Sequence, residues 1–494
     1  MVTTTAIPLI IHGKDVLLSN NDRKHPISST SAPHLKSFQG ATPDLAIQAV
    51  ESCASAFPTW SQTPPEERRR LLLNFAKASR SIPQFYEKEK KKTLLREKSS
   101  TIQTLIRDEI HCTPLWSHVN VETAAGIVEE TASVITDAMS GTIPSSQGNS
   151  YALVMKKPLG VVLGIAPWNA PVILGLRSVI PVIAAGNVAI FKGSELSPQT
   201  HYFLAALFRE AGFPPGVVNF VLHRPQDAAE IYECMIQHPA VKKCNFTGST
   251  QVGRVIASKA AMALKPVLLE LGGKNPVVVL EDADLDQAAD EIMAAGYLNN
   301  GQICMSTDLV YVVRSVAEEL TKKILERLHS EDRPHKVIST ASRARLTQLV
   351  DDARSKGAVI HQARNPLAED PQAFPATVIE GVTEEMEFYT IESFGPVFGI
   401  IAIDSAEKGL QMVKRSAYGL SSAVFTRDHF KALGMSAEIA VGAVHVNGGT
   451  VHDEPTLPHG GVGDSGYGRF GGKWGLDEFL QTQTVILNRV RASL

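Results

Sequence analysis

Short apolar runs alternate with segments of helix length between residues 161 and 271. The runs cover residues 161–166, 188–191, 217–222, 244–247 and 267–271. Ser197-Pro198 is typical of a helix start in one intervening segment, and Gly212-Phe213-Pro214 is typical of its end. This alternation indicates βαβ units and predicts a parallel, doubly wound α/β sheet. Because ligands of such sheets bind at the carboxyl ends of the strands, we expect functional residues directly after these runs.

The length and composition exclude several other classes of protein. A chain of 494 residues exceeds what one hydrophobic core supports, so we expect two or three domains. A hydrophobic share of 44% and a charged share of 20% are those of a globular protein and not of a disordered or coiled-coil chain. A formal net charge of −3 gives no field that would collect nucleic acid or anionic lipid, so neither is expected as a partner.

The cysteines are too few for a disulfide framework and are not spaced for a metal site. They are Cys53, Cys112, Cys234, Cys244 and Cys304, with no CxxC or CxxxC pair among them. We therefore expect no metal. This usage favours a reducing compartment, and we expect the cytoplasm.

One stretch has the length and apolar character of a membrane span. Residues 160–191 hold a single charge, on Arg177. Pro167, Pro171 and Pro181 interrupt the stretch, however, and its first part is a β-branched run. We interpret it as a buried strand, turn and helix and expect no membrane span. Residues 1–13 also lack the pattern of a signal peptide.

Small and polar residues follow four of the predicted strands. The segments are Pro167-Trp168-Asn169, Lys192-Gly193-Ser194-Glu195, Thr247-Gly248-Ser249 and Glu270-Leu271-Gly272-Gly273-Lys274. Lys192 and Glu195 can together hydrogen-bond the hydroxyls of one ribose. Gly248 and Ser249 precede a predicted helix over residues 251–263, where free backbone N–H groups suit a pyrophosphate. A surface ion pair and an ordinary N-cap are the alternatives, but the joint position after successive strands favours nucleotide binding.

A literal dinucleotide fingerprint, Gly461-x-Gly463-x-x-Gly466, lies outside this pattern. It follows a proline-rich segment instead of a strand, and no helix pattern opens after it. We therefore do not interpret it as a phosphate loop.

Cys304 differs from the other cysteines in its surroundings. It ends a helical pattern that begins at Asp284, and a predicted strand over residues 309–313 follows it. Gly301 permits close approach of another backbone, and a turned segment can aim the Cys304 N–H at an oxyanion. A small buried hydrophobe is the alternative role for such a cysteine.

Ordered motifs run through nearly the whole chain. They are AFPTW at 56–60, PEERR at 65–69, PWN at 167–169, FTGS at 246–249, ELGGKNP at 270–276, GQIC at 301–304, ESFGP at 392–396 and GYGRF at 466–470. Together they resemble the NAD(P)-dependent aldehyde dehydrogenase family. The separation of 34 positions between Glu270 and Cys304 also agrees with the spacing usual in that family.

The resemblance implies three parts of an aldehyde dehydrogenase-like α/β fold. A Rossmann-like NAD-binding domain is expected over residues 1–140 and 158–272, and an α/β catalytic domain over residues 273–480. A β-strand oligomerisation arm is expected over residues 141–157 and 481–494. Exposed strand edges of such an arm normally pair between subunits, so a homodimer or homotetramer is expected.

The resemblance also implies roles for individual residues. Cys304 is the expected nucleophile, forming a thiohemiacetal and, after hydride loss to the nicotinamide, a thioester. The Asn169 amide and the Cys304 N–H are the expected oxyanion donors, and Glu270 is the expected base for the deacylating water. The expected cofactor contacts are Pro167, Trp168, Lys192, Glu195, Gly248, Ser249, Gly272, Glu392 and Phe394. Ion-pair partners are the alternative role for Glu270 and Glu392.

Glu195 indicates which of the two cofactors, NAD or NADP, is preferred. A carboxylate there favours a free ribose 2′-hydroxyl and repels a 2′-phosphate, so NAD is expected and NADP is the alternative.

The resemblance implies that the substrate is a small-molecule aldehyde. Segments 169–177 and 299–307 resemble the salicylaldehyde, benzaldehyde and vanillin dehydrogenase branch of the family, so we expect an aromatic one. The expected substrate contacts are Ala170, Ile173, Leu174, Arg177, Ile303, Met305 and Thr450. Ala170 leaves room for a ring, and Ile173 and Arg177 share one face if a helix follows Asn169. Arg177 has two expected roles, pairing with a polar ring substituent or forming a structural ion pair.

Two segments depart from the family pattern. Residues 328–345 are shorter than usual, which leaves their fold undefined, and residues 87–113 fit poorly. The charge run at 87–92 is interpreted as a solvated helix face.

Two other classes of function stay open. A semialdehyde or coenzyme A-acylating dehydrogenase is disfavoured by Glu270, because a hydrolytic base is superfluous when a thiol displaces the acyl group. A non-catalytic binding protein is disfavoured because Cys304, Asn169, Glu270 and Glu392 are all present.

Overall fold

A computed structural model describes residues 6–19, 23–27, 35–76, 94–146, 150–364 and 369–488. Its strands are β1 Ala6–Ile7, β2 Leu9–Ile11, β3 Lys14–Val16, β4 Lys24–Pro26, β5 Ser37–Gln39, β6 Tyr151–Pro158, β7 Val161–Ile165, β8 Val188–Lys192, β9 Val218–Val221, β10 Val241–Thr247, β11 Val267–Glu270, β12 Asn275–Val279, β13 Thr307–Val313, β14 Val359–Gln362, β15 Thr377–Glu380, β16 Val397–Ile403, β17 Tyr418–Gly419, β18 Ser421–Phe425, β19 Ala443–Val446, β20 Val462–Gly463, β21 Gly466–Tyr467 and β22 Leu480–Leu487. Its α-helices are α1 Pro43–Gln62, α2 Pro65–Ala76, α3 Leu94–Glu97, α4 Ser99–Ile110, α5 Pro114–Ala138, α6 Pro171–Arg177, α7 Ile180–Ala184, α8 Pro198–Glu210, α9 Ala228–Gln237, α10 Thr250–Met262, α11 Leu285–Tyr297, α12 Arg314–His329, α13 Thr340–Ser355, α14 Glu387–Thr390, α15 Ala406–Lys414, α16 His429–Glu438 and α17 Gly472–Asp477.

The first sheet contains the predicted alternating strands. Its order is β21-β11-β10-β7-β8-β9-β2-β3, and β11, β10, β7, β8 and β9 run parallel to one another. Every residue of β7 and β8 is buried, as expected of strands covered on both faces. The prediction of a parallel α/β sheet is therefore confirmed. The apolar stretch over 160–191 is β7, α6, α7 and β8, also as predicted.

The second sheet has the order β14-β15-β16-β13-β12-β18-β19, parallel except at β14. Alternate residues of β12 enter two different cores. Val277 and Val279 pack in the core that contains residues of α11 and α12, and Val278 packs in the core that contains residues of α13, α15 and α16. The sheet is thus covered on both faces, and it presents the loops that precede β12, β13 and β16 to the first sheet.

Helix α8 begins at Pro198, where the sequence predicts it, but a distant side chain caps it. Ser197 makes no side-chain cap hydrogen bond. Instead the Glu109 carboxylate accepts hydrogen bonds from the backbone N–H of Gln199 at 2.7 Å and of Thr200 at 2.9 Å. Burial raises the pKa of Glu109 to about 7 although these bonds oppose the rise. This carboxylate ties α4 to the helix that follows the Lys192 turn.

The C-terminal segment returns to the first sheet beside β11. Strand β21 pairs antiparallel with β11, with Glu270 opposite Gly466. Gly466 has a φ of +100°, and a Cβ there would lie 2.1 Å from the Leu269 carbonyl oxygen. Only glycine therefore permits this pairing, which explains one glycine of the fingerprint-like motif in structural terms.

Three further segments bear on the sequence predictions. β6 and β22 form an antiparallel ribbon between Tyr151 and Leu487 at one end and Pro158 and Leu480 at the other. The segment 328–345 is the end of α12, a connection and the start of α13. The charge run at 87–92 lies outside the described residues. No helix in the described ranges is long and apolar enough to cross a membrane.

We predict that Gly466→Ala destabilises the protein by about 1–3 kcal/mol, because it forces an unfavourable φ and a backbone clash. The matched control is Gly434→Ala in α16, where no atom lies within 4 Å of the added Cβ. The control should be neutral or stabilising by up to about 1 kcal/mol. Thermal unfolding of both variants checks the pair, and equal midpoints would contradict it.

Candidate active site

The loop that carries Cys304 has an unusual backbone. Asn299, Asn300 and Gly301 have φ values of +50°, +58° and +68°. Asparagine tolerates this left-handed region better than most residues, and glycine adopts it without penalty. A Cβ at Gly301 would lie 2.0 Å from the Gly395 carbonyl oxygen, so glycine is required where the two loops meet. The predicted close approach at Gly301 is confirmed, and it brings Cys304 against the loop that precedes β16.

Two cavities meet at the Cys304 thiol. The larger has a volume of about 510 Å³, and the smaller has a volume of about 190 Å³. Asn169, Leu174 and Cys304 line both cavities. A thiol in this position can therefore contact one ligand in each cavity.

Glu270 lies at the end of β11 with its side chain 1% exposed. The Cys304 thiol donates to its Oε1 at 3.5 Å, and His459 Nε2 lies 2.9 Å from the same oxygen. Its other oxygen, Oε2, accepts from the Thr247 hydroxyl at 3.3 Å and lies 3.8 Å from Arg177 Nη1. The carboxylate is thus held on both oxygens beside the thiol.

The surroundings lower the pKa of Glu270 and raise the pKa of the Cys304 thiol. Burial raises the pKa of Glu270, but the charges and hydrogen bond of His459, followed by Arg177, outweigh burial and hold it at about 2. Burial raises the pKa of the Cys304 thiol well above its usual value, and the carboxylates of Glu270 and Glu392 raise it further. The site therefore holds a protonated thiol beside an ionised carboxylate.

Asn169 follows β7 and is buried. Its side-chain amide nitrogen donates to the Gln302 carbonyl at 3.1 Å, and its backbone carbonyl accepts from the indole nitrogen of Trp116 at 3.0 Å. The first bond holds the side-chain amide on the wall that it shares with Cys304. The amide nitrogen has a second N–H, and a donor of this kind directed at a reacting carbonyl oxygen can stabilise an oxyanion.

The larger cavity contains most of the predicted cofactor contacts. Pro167, Trp168, Gly248, Ser249, Gly272, Glu392 and Phe394 all line it. Ser249 is also the N-cap of α10 and accepts from the Val252 N–H. The rings of Trp168 and Phe394 meet edge to face with centroids 5.9 Å apart.

A glycine shapes the part of this cavity near Glu392. A Cβ at Gly272 would lie 2.4 Å from Glu392 Oε2, and the next N–H, of Gly273, donates to Glu392 Oε1 at 2.9 Å. Burial raises the pKa of Glu392 to about 7, with Gly273, Arg345 and Lys274 opposing that rise. A carboxylate that faces a cavity of this size, close to a helix N-terminus, fits a nicotinamide dinucleotide with its ribose hydroxyls and pyrophosphate.

Lys192 and Glu195 are brought together but do not line the larger cavity. Lys192 Nζ lies 3.8 Å from Glu195 Oε2, and Leu196, next in the chain, belongs to the lining. Burial lowers the pKa of Lys192, and the charge and hydrogen bond of Glu195 oppose this decrease. The pair therefore lies beside the larger cavity without contributing to its lining.

The smaller cavity contains all but one of the predicted substrate contacts. Ala170, Ile173, Leu174, Arg177, Ile303 and Met305 line it. Thr450 does not. It is fully buried, its hydroxyl lies 2.9 Å from that of Thr307, and its carbonyl accepts from Ser421. Val451 and His452 of the same segment form the wall instead.

Arg177 has a structural ion-pair partner. Its Nη2 donates to Asp453 Oδ2 at 2.5 Å, and its guanidinium lies 5.9 Å from the Phe470 ring centroid. The ion pair that the sequence offers as one alternative is thus present, and the side chain also lines the smaller cavity, so contact with a substrate stays a prediction.

Sequence reasoning missed several residues of the site. Trp116 lines the smaller cavity from α5, and Asp453 and His459 close it near Glu270. Arg345 donates to the Glu392 carbonyl at 2.8 Å. None of these residues lies in the family-like motifs, and each is brought to the site by the fold.

Among the described residues, no group of three or more His, Cys, Asp or Glu side chains is arranged to hold a metal ion.

Comparison with known proteins agrees with this geometry. The family model described as "Aldehyde dehydrogenase family" matches residues 19–485. The chain is 38% identical over 495 aligned residues to the vanillin dehydrogenase of Pseudomonas sp. strain HR199, with 97% of this chain and 98% of that protein covered.

Solved structures show the same likeness. A salicylaldehyde dehydrogenase from Pseudomonas putida G7, solved in complex with salicylaldehyde, has a TM-score of 0.88 at 33% identity and covers 99% of each chain. A betaine aldehyde dehydrogenase from Staphylococcus aureus, solved with NAD+, has a TM-score of 0.87 at 26% identity and covers 99% of this chain and 95% of its own.

We predict that Glu270→Gln makes Cys304 more reactive towards iodoacetamide near neutral pH. Removing the carboxylate removes a charge and a hydrogen bond that both raise the thiol pKa, so a larger fraction is thiolate. Mass spectrometry of the Cys304 peptide over time measures the rate. Glu380→Gln, in a surface pair with His361, is the matched control. Slower alkylation in Glu270→Gln would instead identify Glu270 as the base that deprotonates the thiol.

Proposed function

Since the chain belongs to the aldehyde dehydrogenase family and is therefore an oxidoreductase that acts on aldehydes with NAD or NADP, we propose that it oxidises an aromatic aldehyde to the carboxylic acid through a thioester on Cys304. The observation that carries this proposal is the position of one thiol. Cys304 lies at the junction of the two cavities, 3.5 Å from a buried carboxylate.

The first step forms a bond between the thiol and the aldehyde. The Cys304 sulfur bonds to the carbonyl carbon of a substrate in the smaller cavity, the C=O π electrons move to the oxygen, and the thiol proton passes to solvent water as the thiohemiacetal anion forms. The Asn169 amide and the Cys304 backbone N–H hold the oxyanion that develops, a contribution typically worth about 10²–10³ in rate for one donor. The thiohemiacetal is thus held at the junction of the two cavities, beside the cofactor site.

The second step needs a hydride acceptor on the other side of the thiol. Nicotinamide, when bound, supplies that acceptor, and the thiohemiacetal becomes a thioester on Cys304. Glu392 would hold the nicotinamide ribose and Ser249 the pyrophosphate, and Trp168 and Phe394, which line the same cavity, would contact the cofactor. Lys192 and Glu195 would hold the adenosine ribose.

The third step releases the acid. Glu270 takes a proton from water while the water oxygen bonds to the acyl carbon, and the carbon–sulfur bond breaks with its electron pair going to Cys304. Because His459 and Arg177 keep the pKa of Glu270 at about 2, the carboxylate is ionised at neutral pH and can accept a proton. A buried base beside the thioester favours hydrolysis over transfer to coenzyme A.

The smaller cavity favours a compact aromatic substrate. Its volume of about 190 Å³ is below the range of about 300–1000 Å³ that holds drug-sized ligands. Trp116, Ile173, Leu298 and Val451 give it flat apolar walls. Relatives named vanillin, salicylaldehyde and benzaldehyde dehydrogenases support the same class of substrate.

Three other predictions remain proposals. The ribbon of β6 and β22 carries exposed Tyr151, Ile486 and Leu487, which suits an oligomerisation arm that pairs with a second copy. The two sheets suit a division into an NAD-binding and a catalytic domain at residue 272. The few unpaired cysteines suit a reducing cytoplasm.

We predict NADH formation from benzaldehyde or vanillin with NAD, and a loss of more than about 10³-fold in Cys304→Ala. Cys234→Ala, a half-buried cysteine of α9, is the matched control and should keep the parent rate. Absorbance at the NADH band over a panel of aldehydes measures it. Comparable kcat/KM values for a long aliphatic aldehyde would contradict the aromatic assignment, and residual turnover near the parent level in Cys304→Ala would contradict the mechanism.

We also predict that Glu195→Ser narrows the preference for NAD over NADP. The exchange removes the charge that would repel a 2′-phosphate. The ratio of kcat/KM for the two cofactors checks this, and an unchanged ratio would show that Glu195 does not contact the adenosine ribose.

A further inference from the structure

His459 contacts Glu270, but no step of the proposed reaction assigns it contact with the substrate or with the hydrolytic water. It lies in the loop before β20, and its backbone pairs with that of Phe470. Its Nε2 is 2.9 Å from Glu270 Oε1, and its Nδ1 is 3.6 Å from Asp453 Oδ1. Because an ionised carboxylate can only accept, Nε2 carries the hydrogen in the contact with Glu270.

The imidazole closes a ring of buried charged groups. Asp453 binds Arg177 at 2.5 Å, and Arg177 approaches the second oxygen of Glu270. Each of the four side chains is at most 15% exposed. Glu270 and Asp453 would be costly to bury alone, so the two carboxylates depend on the basic side chains between them. We call Glu270, His459, Asp453 and Arg177 the charge ring.

We propose that His459 is a positioning residue for deacylation, holding the Glu270 carboxylate in place beside Cys304 so that it can accept the proton of the hydrolytic water. This rests on the proposed function, in which Glu270 is the base. Of the groups around Glu270, Thr247 contacts Oε2 and Arg177 approaches it, whereas His459 fixes the oxygen that also contacts the thiol. A displacement of about 1 Å at such a base is worth on the order of 100-fold in rate.

Removing His459 should also change the ionisation of Glu270. The groups that act on it are His459, Arg177 and Cys304, with Asp453 behind the first two. His459 is the strongest of the influences that oppose burial, so losing it lets burial raise the pKa of Glu270. The deacylation rate of the variant should then fall towards acid pH as Glu270 becomes protonated, whereas Glu270 of the parent stays ionised there.

Hydrolysis of p-nitrophenyl benzoate tests the proposal without cofactor. The ester acylates Cys304 and releases p-nitrophenolate in a burst, and the following steady rate reports deacylation. The variants are His459→Phe, which removes the donor, and His459→Gln, which retains an uncharged N–H donor. His361→Gln is the matched control, because it makes the same exchange in a surface pair with Glu380 at 2.8 Å.

We expect a full burst in each variant and a steady rate reduced on the order of 100-fold in His459→Phe, less in His459→Gln and not at all in His361→Gln. The rate in His459→Phe should also fall as the pH is lowered, because losing His459 lets burial raise the pKa of Glu270, whereas a change in wall packing alone would leave the pH profile of the parent unchanged. Hydroxylamine, which attacks a thioester without a base, should restore the steady rate. A burst of normal size also shows that the variant is folded.

The outcomes distinguish failure of the role of His459 from failure of the proposed function on which it rests. If Glu270→Gln is slow while both His459 variants deacylate at the parent rate, or change only KM, His459 is not a positioning residue. If Glu270→Gln itself deacylates at the parent rate, or if the parent forms no acyl-enzyme and no NADH from benzaldehyde, the proposed function fails and this inference fails with it.

Discussion

A buried carboxylate, Glu270, in contact with the partly buried thiol of Cys304 is the constraint on which the site depends. An isolated charge at the position of Glu270 would cost several kcal/mol, so the fold must bring compensating groups to it. They come from distant parts of the chain: Arg177 ends α6, and His459 lies almost two hundred positions beyond Glu270. The C-terminal segment has to return to the first sheet for this to happen. The pairing of Gly466 with Glu270 is the backbone part of the same return.

The two sheets meet at complementary ends. The first sheet presents the residues that follow its parallel strands, Asn169 after β7 and Glu270 at the end of β11. The second presents the loops that precede β13 and β16, which carry Cys304 and Phe394. Positive φ values at Asn299, Asn300 and Phe394 occur in these loops. Such conformations persist where surrounding contacts over-determine them, and here both loops converge on the thiol.

Local patterns in the sequence predict much of this arrangement. The alternation over 161–271 predicts β7 to β11, and the punctuation at Pro198 and Asp284 predicts the starts of α8 and α11. The helix beyond Asn169 also forms as predicted, so that Ile173, Leu174 and Arg177 reach one cavity. These features are set by neighbours in the sequence, and their physics is local.

Long-range neighbours could not be predicted in the same way. Glu109 caps α8 from α4, although Ser197 is the residue that the pattern indicates. Thr450 lies behind the cavity wall and Val451 in it, because the Thr450 hydroxyl contacts Thr307 and its carbonyl accepts from Ser421. The partners of Arg177 and Glu270 depend on the return of the C-terminal segment, which no motif encodes.

The central claim is that one thiol carries the acyl group between oxidation and hydrolysis. Its most direct test is the intact mass of Glu270→Gln after mixing with benzaldehyde and NAD, followed by peptide mapping. The account predicts one benzoyl group per chain, located on Cys304, which persists because the base is missing. NADH formation with no acyl group on Cys304, or with the acyl group on another residue, would contradict it.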